Sequence, residues 1–113
     1  MVAIAGAESN WYNGAQGDAL SSFPADQQAR YAPYDCGGYL SFGLWQIFQG
    51  VHFQKLIDRT GSRNPCFWRD YLFRPEANAS VAKWVWDESG REAWSAYNSG
   101  AYLNYLFAAK QAV

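Results

Sequence analysis

The sequence is short of the residues that build metal centres and nucleic-acid surfaces: it has one histidine, His52, two cysteines, and 17% charged residues. Cys36 and Cys66 lack metal-ligand spacing and there is one histidine, so neither a Cys/His zinc site nor any other metal or organic cofactor is expected. Neither sign of charge is in excess. Nine basic residues against ten acidic ones give a net charge of −1, and the basic ones are scattered, which excludes the positive field that nucleic-acid binding needs. The same balance argues against long-range attraction to an acidic cell wall. Long apolar runs are missing too: none reaches the roughly 20 residues that span a bilayer. The start shows no basic region followed by an apolar stretch, so no signal peptide is expected.

What is present is aromatic. Six Trp and eight Tyr in 113 residues exceed the needs of a core of this size, and such amphipathic rings commonly line grooves that hold flat sugar faces. A ring-rich core is the simpler alternative for any one of them. The length suits one domain, residues 1–113, with a single core. If Cys36 and Cys66 pair, the closed loop is worth about 3–4 kcal/mol and points to an oxidising compartment or a virion; two buried free thiols fit the sequence equally well.

Periodicity and breakers predict mainly helix. Val2 to Asn10 reads as a helix with Glu8 in its last turn. From Asn13 to Tyr39 the density of Gly, Ser, Asp and Pro predicts long irregular structure, followed by a small sheet or hairpin around Tyr39 to Ile47. Val51 to Arg59 forms a helix with Val51 and Leu56 on adjoining apolar faces and Gly61 as its stop. Phe67 to Phe73 is a short helix or an extended connector. Glu76 to Ser89 carries Ala77, Val81, Trp84, Val85 and Glu88 at three- and four-residue steps, with Gly90 as cap. Arg91 to Tyr97 and Ala101 to Ala112 complete the helices. His52 is expected at the surface or core edge. Asn78-Ala79-Ser80 matches a glycosylation acceptor at a helix start, and Trp84, Trp86 and Trp94 are read as core, with Trp86 off the main apolar face.

Glycoside cleavage needs a carboxylic acid that stays protonated near neutral pH, which an apolar, partly desolvated niche provides. Glu8, at a helix end among Ile4, Ala5, Ala7 and Trp11 and just before Ser9-Asn10, has such a setting. A glutamate there is more often a solvated surface residue, so the weight falls on its companions. Ala7-Glu8-Ser9, Ser41-Phe42-Gly43-Leu44-Trp45-Gln46-Ile47 and Ala96-Tyr97-Asn98-Ser99-Gly100 occur in that order. This set resembles the lytic transglycosylase and goose-type lysozyme superfamily, from about Ile4 to Leu106.

The resemblance implies a mainly α, α+β lysozyme-like fold: a helical bundle around a substrate groove, with a long irregular loop and a small β-hairpin. It implies that Glu8 is the acid, that Ser9 helps hold it, that Gln46 and Asn98 contact acetamido sugars, and that Tyr97 bonds to or packs beside Glu8. Gln and Asn do carry the paired donor and acceptor groups that N-acetyl functions need. Trp45 stands where many relatives carry Met or Phe, which leaves packing and sugar stacking both open. The stretch between Gly17-Asp18 and Ser41 is about twenty residues longer than in compact relatives and contains Cys36.

A second carboxylate decides the reaction, a base about 6.5–9.5 Å away for inverting hydrolysis or a nucleophile about 5–5.5 Å away for retaining hydrolysis. Asp18 leads over Asp26 and Asp35, although an Asp in a Gly-rich loop is most often a turn former. Without one, the sugar's own hydroxyl or acetamido group can trap the cationic centre, with Glu8 serving as acid and then base, and the product is a 1,6-anhydro sugar. The expected partner is peptidoglycan or an N-acetylglucosamine oligomer, bound by a monomer in the cell envelope, outside the cell or in a virion, alone or within a larger protein. A non-catalytic glycan-binding or virion module and a chitinase-like glycosidase are the alternatives.

Overall fold

In the computed structural model, which describes residues 1–106 and 109, helices make up most of the chain and enclose one small antiparallel sheet. Helix α1, Val2–Ser9, ends where Asn10 turns left-handed at φ 52 and its N–H caps the Gly6 carbonyl, so Glu8 does sit in the last turn. Strands β1 (Gln16–Ala19), β2 (Tyr39–Phe42) and β3 (Ile47–Phe48) lie side by side in chain order, with Gly17 opposite Ser41 and Ser41 opposite Phe48. Between β1 and β2, where irregular chain was expected, the structure has helix α2, Ala25–Tyr31, flanked by 3-10 turns at Leu20–Ser22 and Ala32–Tyr34. None of the α2 residues is buried, so no apolar period marks it in the sequence. The available signs were local ones: Pro24 at its start, and Asp26 in its first turn and Arg30 in its last, the two charges suited to the helix dipole.

Helix α3, Gln49–Thr60, ends on left-handed Gly61, as the sequence predicts. Leu56 is fully buried, but Val51 is 61% exposed. The helix is kinked between them at His52, with φ −96 and ψ 16, so the two do not follow one helical phase. Helix α4, Pro65–Leu72, resolves the connector as helical, with Asn64 Oδ1 capping the Cys66 N–H at 2.9 Å. Helix α5, Pro75–Ser89, buries Ala77, Asn78, Val81, Ala82 and Val85, and leaves Trp84 half-buried on the flank. The predicted Arg91–Tyr97 helix is instead a 3-10 turn, Arg91–Ala93, followed by the short helix α6, Ser95–Asn98, with extended Trp94 between them. Ala101–Tyr105 is a further 3-10 turn, and the remainder of the predicted last helix lies mostly outside the described residues.

The core forms where α1, the sheet and helices α3–α5 meet, with Ile4, Phe42, Ile47, Leu56, Trp68, Leu72, Val81 and Val85 at its centre. Cys36 and Cys66 are joined in a disulfide that fastens the segment before β2 to α4. Beside it Tyr34 stacks on Phe53 at 4.4 Å, and the buried Gln49 amide donates to the Tyr34 carbonyl at 2.7 Å. The long β1–β2 connection is therefore anchored at its far end. Among the described residues no helix is long and apolar enough to cross a membrane.

Candidate active site

The turn between β2 and β3 is tightly constrained. Gly43 has φ 83, and a Cβ there would run into the Asn78 side chain and the Leu72 carbonyl, so only glycine fits. Asn78 is fully buried. Its Nδ2 donates to the Phe42 and Leu72 carbonyls at 2.9 and 3.0 Å, and its Oδ1 accepts the Trp45 N–H at 2.9 Å. A side chain so enclosed is the clamp of this turn and no glycosylation acceptor. Gln46 then takes a left-handed φ of 46, and its Nε2 donates to the Ala15 and Gly43 carbonyls at 3.1 and 3.0 Å. The amide nitrogen is thereby occupied twice, and the carbonyl oxygen Oε1 is left to accept.

Gln46 lines a cavity of about 340 Å³ together with Glu8, Asp18, Phe48, Ala93, Trp94 and Ser95. Glu8 enters from the end of α1, half-buried, and its Oε1 accepts the Ala96 N–H at 3.3 Å. Burial pushes its carboxyl above the ordinary range, the Ala96 N–H pulls it partly back, and the charge of Asp18 raises it again. Asp18, on β1, has a left-handed φ of 54 and accepts a hydrogen bond from the buried Ser41 hydroxyl on the facing strand. Its carboxylate is thus aimed by the sheet, and it is exposed where Glu8 is partly withdrawn from water. Trp94 joins the two halves of the wall: its indole N–H donates to the Trp45 carbonyl at 2.8 Å, tying the β2–β3 turn to the segment that bonds Glu8.

The structure therefore brings Glu8, Asp18 and Gln46 into one cavity and leaves four other predicted site residues outside it. Ser9 is buried and donates to the Ala5 carbonyl at 2.8 Å, a bond back along its own helix that does not reach Glu8. Trp45 lines a different cavity with Met1, Ala79, Lys83, Trp86 and Asp87, and its indole N–H donates to the Met1 carbonyl at 2.8 Å. Tyr97 stacks on Tyr102 at 5.1 Å and lines a third cavity, so the group that meets Glu8 is the Ala96 backbone, one residue earlier. Asn98 is exposed and its amide donates to the Glu92 carbonyl at 2.8 Å, which leaves the inner face of the turn to Trp94 and Ser95. Of the other acidic candidates, Asp35 caps its own turn by accepting the Gly38 N–H at 3.0 Å, and Asp26 begins the exposed helix α2.

Phe48 and Ser95 are cavity residues that sequence reasoning missed. For Phe48 a signal existed: within β3 it follows apolar Ile47, and strand alternation turns it to the opposite side of the sheet from that buried residue. No comparable signal marks Ser95. Compared with known protein families, characterised proteins and solved structures, the chain has no significant match.

Proposed function

We propose that this protein is a lysozyme-like glycosidase that cleaves the glycan strand of peptidoglycan between N-acetylmuramic acid and N-acetylglucosamine. The reading is carried by the half-buried Glu8 carboxyl, raised by burial and facing Asp18 and Gln46 in one aromatic-walled cavity. A carboxyl so placed keeps its proton at a pH where exposed carboxylates have lost theirs, and can deliver it to the bridging oxygen. Gln46 Oε1 accepts the N–H of an acetamido group, while Asp18, aimed by its hydrogen bond from Ser41, stabilises the positive charge that develops at the sugar. Asp18 in the same cavity offers hydrolysis a protein carboxylate, and trapping of the cation by the sugar itself gives the 1,6-anhydro product instead. The small sheet and the helices around it fit the two-sided cleft of a lysozyme-like fold, and the disulfide fits an envelope, extracellular or virion setting.

Incubating the protein and Glu8→Gln with purified peptidoglycan, and identifying released fragments by mass spectrometry, tests this. The wild type should release muropeptides with reducing ends and Glu8→Gln should lose activity by at least about a hundred-fold. Anhydro ends would assign transglycosylation, and binding without release would make the domain a glycan-binding module.

A further inference from the structure

The long connection between β1 and β2 ends in a set of rings that the reaction itself does not require. Phe23, which follows the first 3-10 turn, and Tyr31, at the end of α2, close on Phe48 from the other side of the cavity wall. Tyr31 meets Phe48 edge-on at 5.1 Å, Phe23 lies 6.2 Å from Phe48, and Phe23 and Tyr31 are 5.5 Å apart. Of the three, only Phe48 lines the cavity of Glu8, Asp18 and Gln46. Gly50 sits beneath the junction, where a Cβ would strike the rings of both Tyr31 and Phe48 at 2.6 and 2.8 Å, so the close approach depends on its bare Cα. Gln49 and the disulfide hold the rest of the connection to α3 and α4. A ring braced in this way loses little freedom when a ligand packs on it.

From this we infer that Phe48 is the stacking platform for the apolar face of an N-acetylated hexose in the cleft, and that Tyr31 and Phe23 are positioning residues that hold its ring in place. The inference rests on the glycan reading of the cavity and adds its specificity element. Ring stacking suits a pyranose, whose C–H groups on one face are apolar while its hydroxyl and acetamido groups lie at the rim, within reach of Gln46 and Asp18. The extra chain between β1 and β2 thereby becomes part of substrate selection.

The test measures binding of N-acetylglucosamine tetramer by calorimetry in the Glu8→Gln background, and KM and kcat on solubilised peptidoglycan with Glu8 intact. Phe48→Leu keeps apolar volume and removes the aromatic face: it should weaken tetramer binding and raise KM by about ten-fold, with kcat nearly unchanged, and Phe48→Tyr should restore both. Tyr31→Ala should raise KM by a few-fold, again with little change in kcat. In parallel, the ring protons of Phe48 in the Glu8→Gln protein should shift during the tetramer titration, a readout that does not depend on any position-48 variant folding. Wild-type cleavage together with unmoved Phe48 ring resonances, or with a folded Phe48→Leu that keeps the wild-type KM, overturns the platform alone. A wild-type protein that neither binds the tetramer nor cleaves peptidoglycan overturns the platform and the glycan reading together.

Discussion

Asn78 offers the sharpest test of how the β2–β3 turn is held. Its amide makes three hydrogen bonds inside the protein, to the Phe42 and Leu72 carbonyls and from the Trp45 N–H. Asn78→Ala leaves these groups buried without that partner, and each costs about 1–3 kcal/mol, offset in part because the amide itself no longer has to be stripped of water. A net loss of about 3 kcal/mol is expected. For a 113-residue domain unfolding with roughly 2 cal/mol/K per residue, this lowers Tm by about 10–15 °C. Asn78→Asp keeps the acceptor for Trp45 but turns carboxylate oxygen toward two carbonyls. Burial raises the folded pKa of such a carboxyl, so this variant should be least stable at neutral pH and recover as pH falls and the group protonates. Urea titration with thermal melts at two pH values reads both effects, and activity should fall with stability because the same turn carries Gln46. A loss below about 1 kcal/mol in Asn78→Ala would refute the clamp.

Other perturbations separate stability from function. Glu8 has a raised folded pKa, so the native state holds its proton longer than the unfolded chain and its contribution to stability is lost as pH rises through the folded value. Glu8→Gln should therefore be more stable than wild type at neutral pH, with the gap closing in acid, while activity is lost; equal stability at both pH values in urea titrations would contradict the desolvated carboxyl. His52 is shifted the other way, to about 4, by burial and then by Lys55, with Glu88 opposing. The native state resists protonating it, so stability should be full above pH about 6.5 and decline as pH falls toward 4, by about 1–2 kcal/mol after solvent screening. A His52→Gln variant should flatten this acid limb in melts. Replacing Cys36 and Cys66 by Ala opens a loop of separation 30 and should cost about 3–4 kcal/mol in urea titrations, with Phe48-dependent binding weakened more than catalysis.

Much of the helical frame was legible along the chain. The α5 period, the Gly61 stop and the placement of Glu8 at the end of α1 all follow from short-range rules, because a helix face and a cap are decided by residues within a few positions of each other. Helix α2 escaped those rules because it has no buried face, and Val51 escaped because the kink at His52 separates it from the turn that buries Leu56. The motif order likewise placed Glu8, Asp18 and Gln46 as candidates, and the fold sets them around one cavity.

Tertiary structure alone decided which neighbours of those residues share the cavity. Ser9 and Tyr97 sit next to the right positions in sequence and Asn98 one further on, yet one residue is about 100° of helix, enough to turn a side chain from a cleft into a helix or solvent. The pairing of Cys36 with Cys66, the burial of Asn78 and the bracing of Phe48 by Tyr31 each join residues far apart in the chain. Local sequence carries no distance information across such gaps. Residue types mark what chemistry is possible, and packing selects the few that meet.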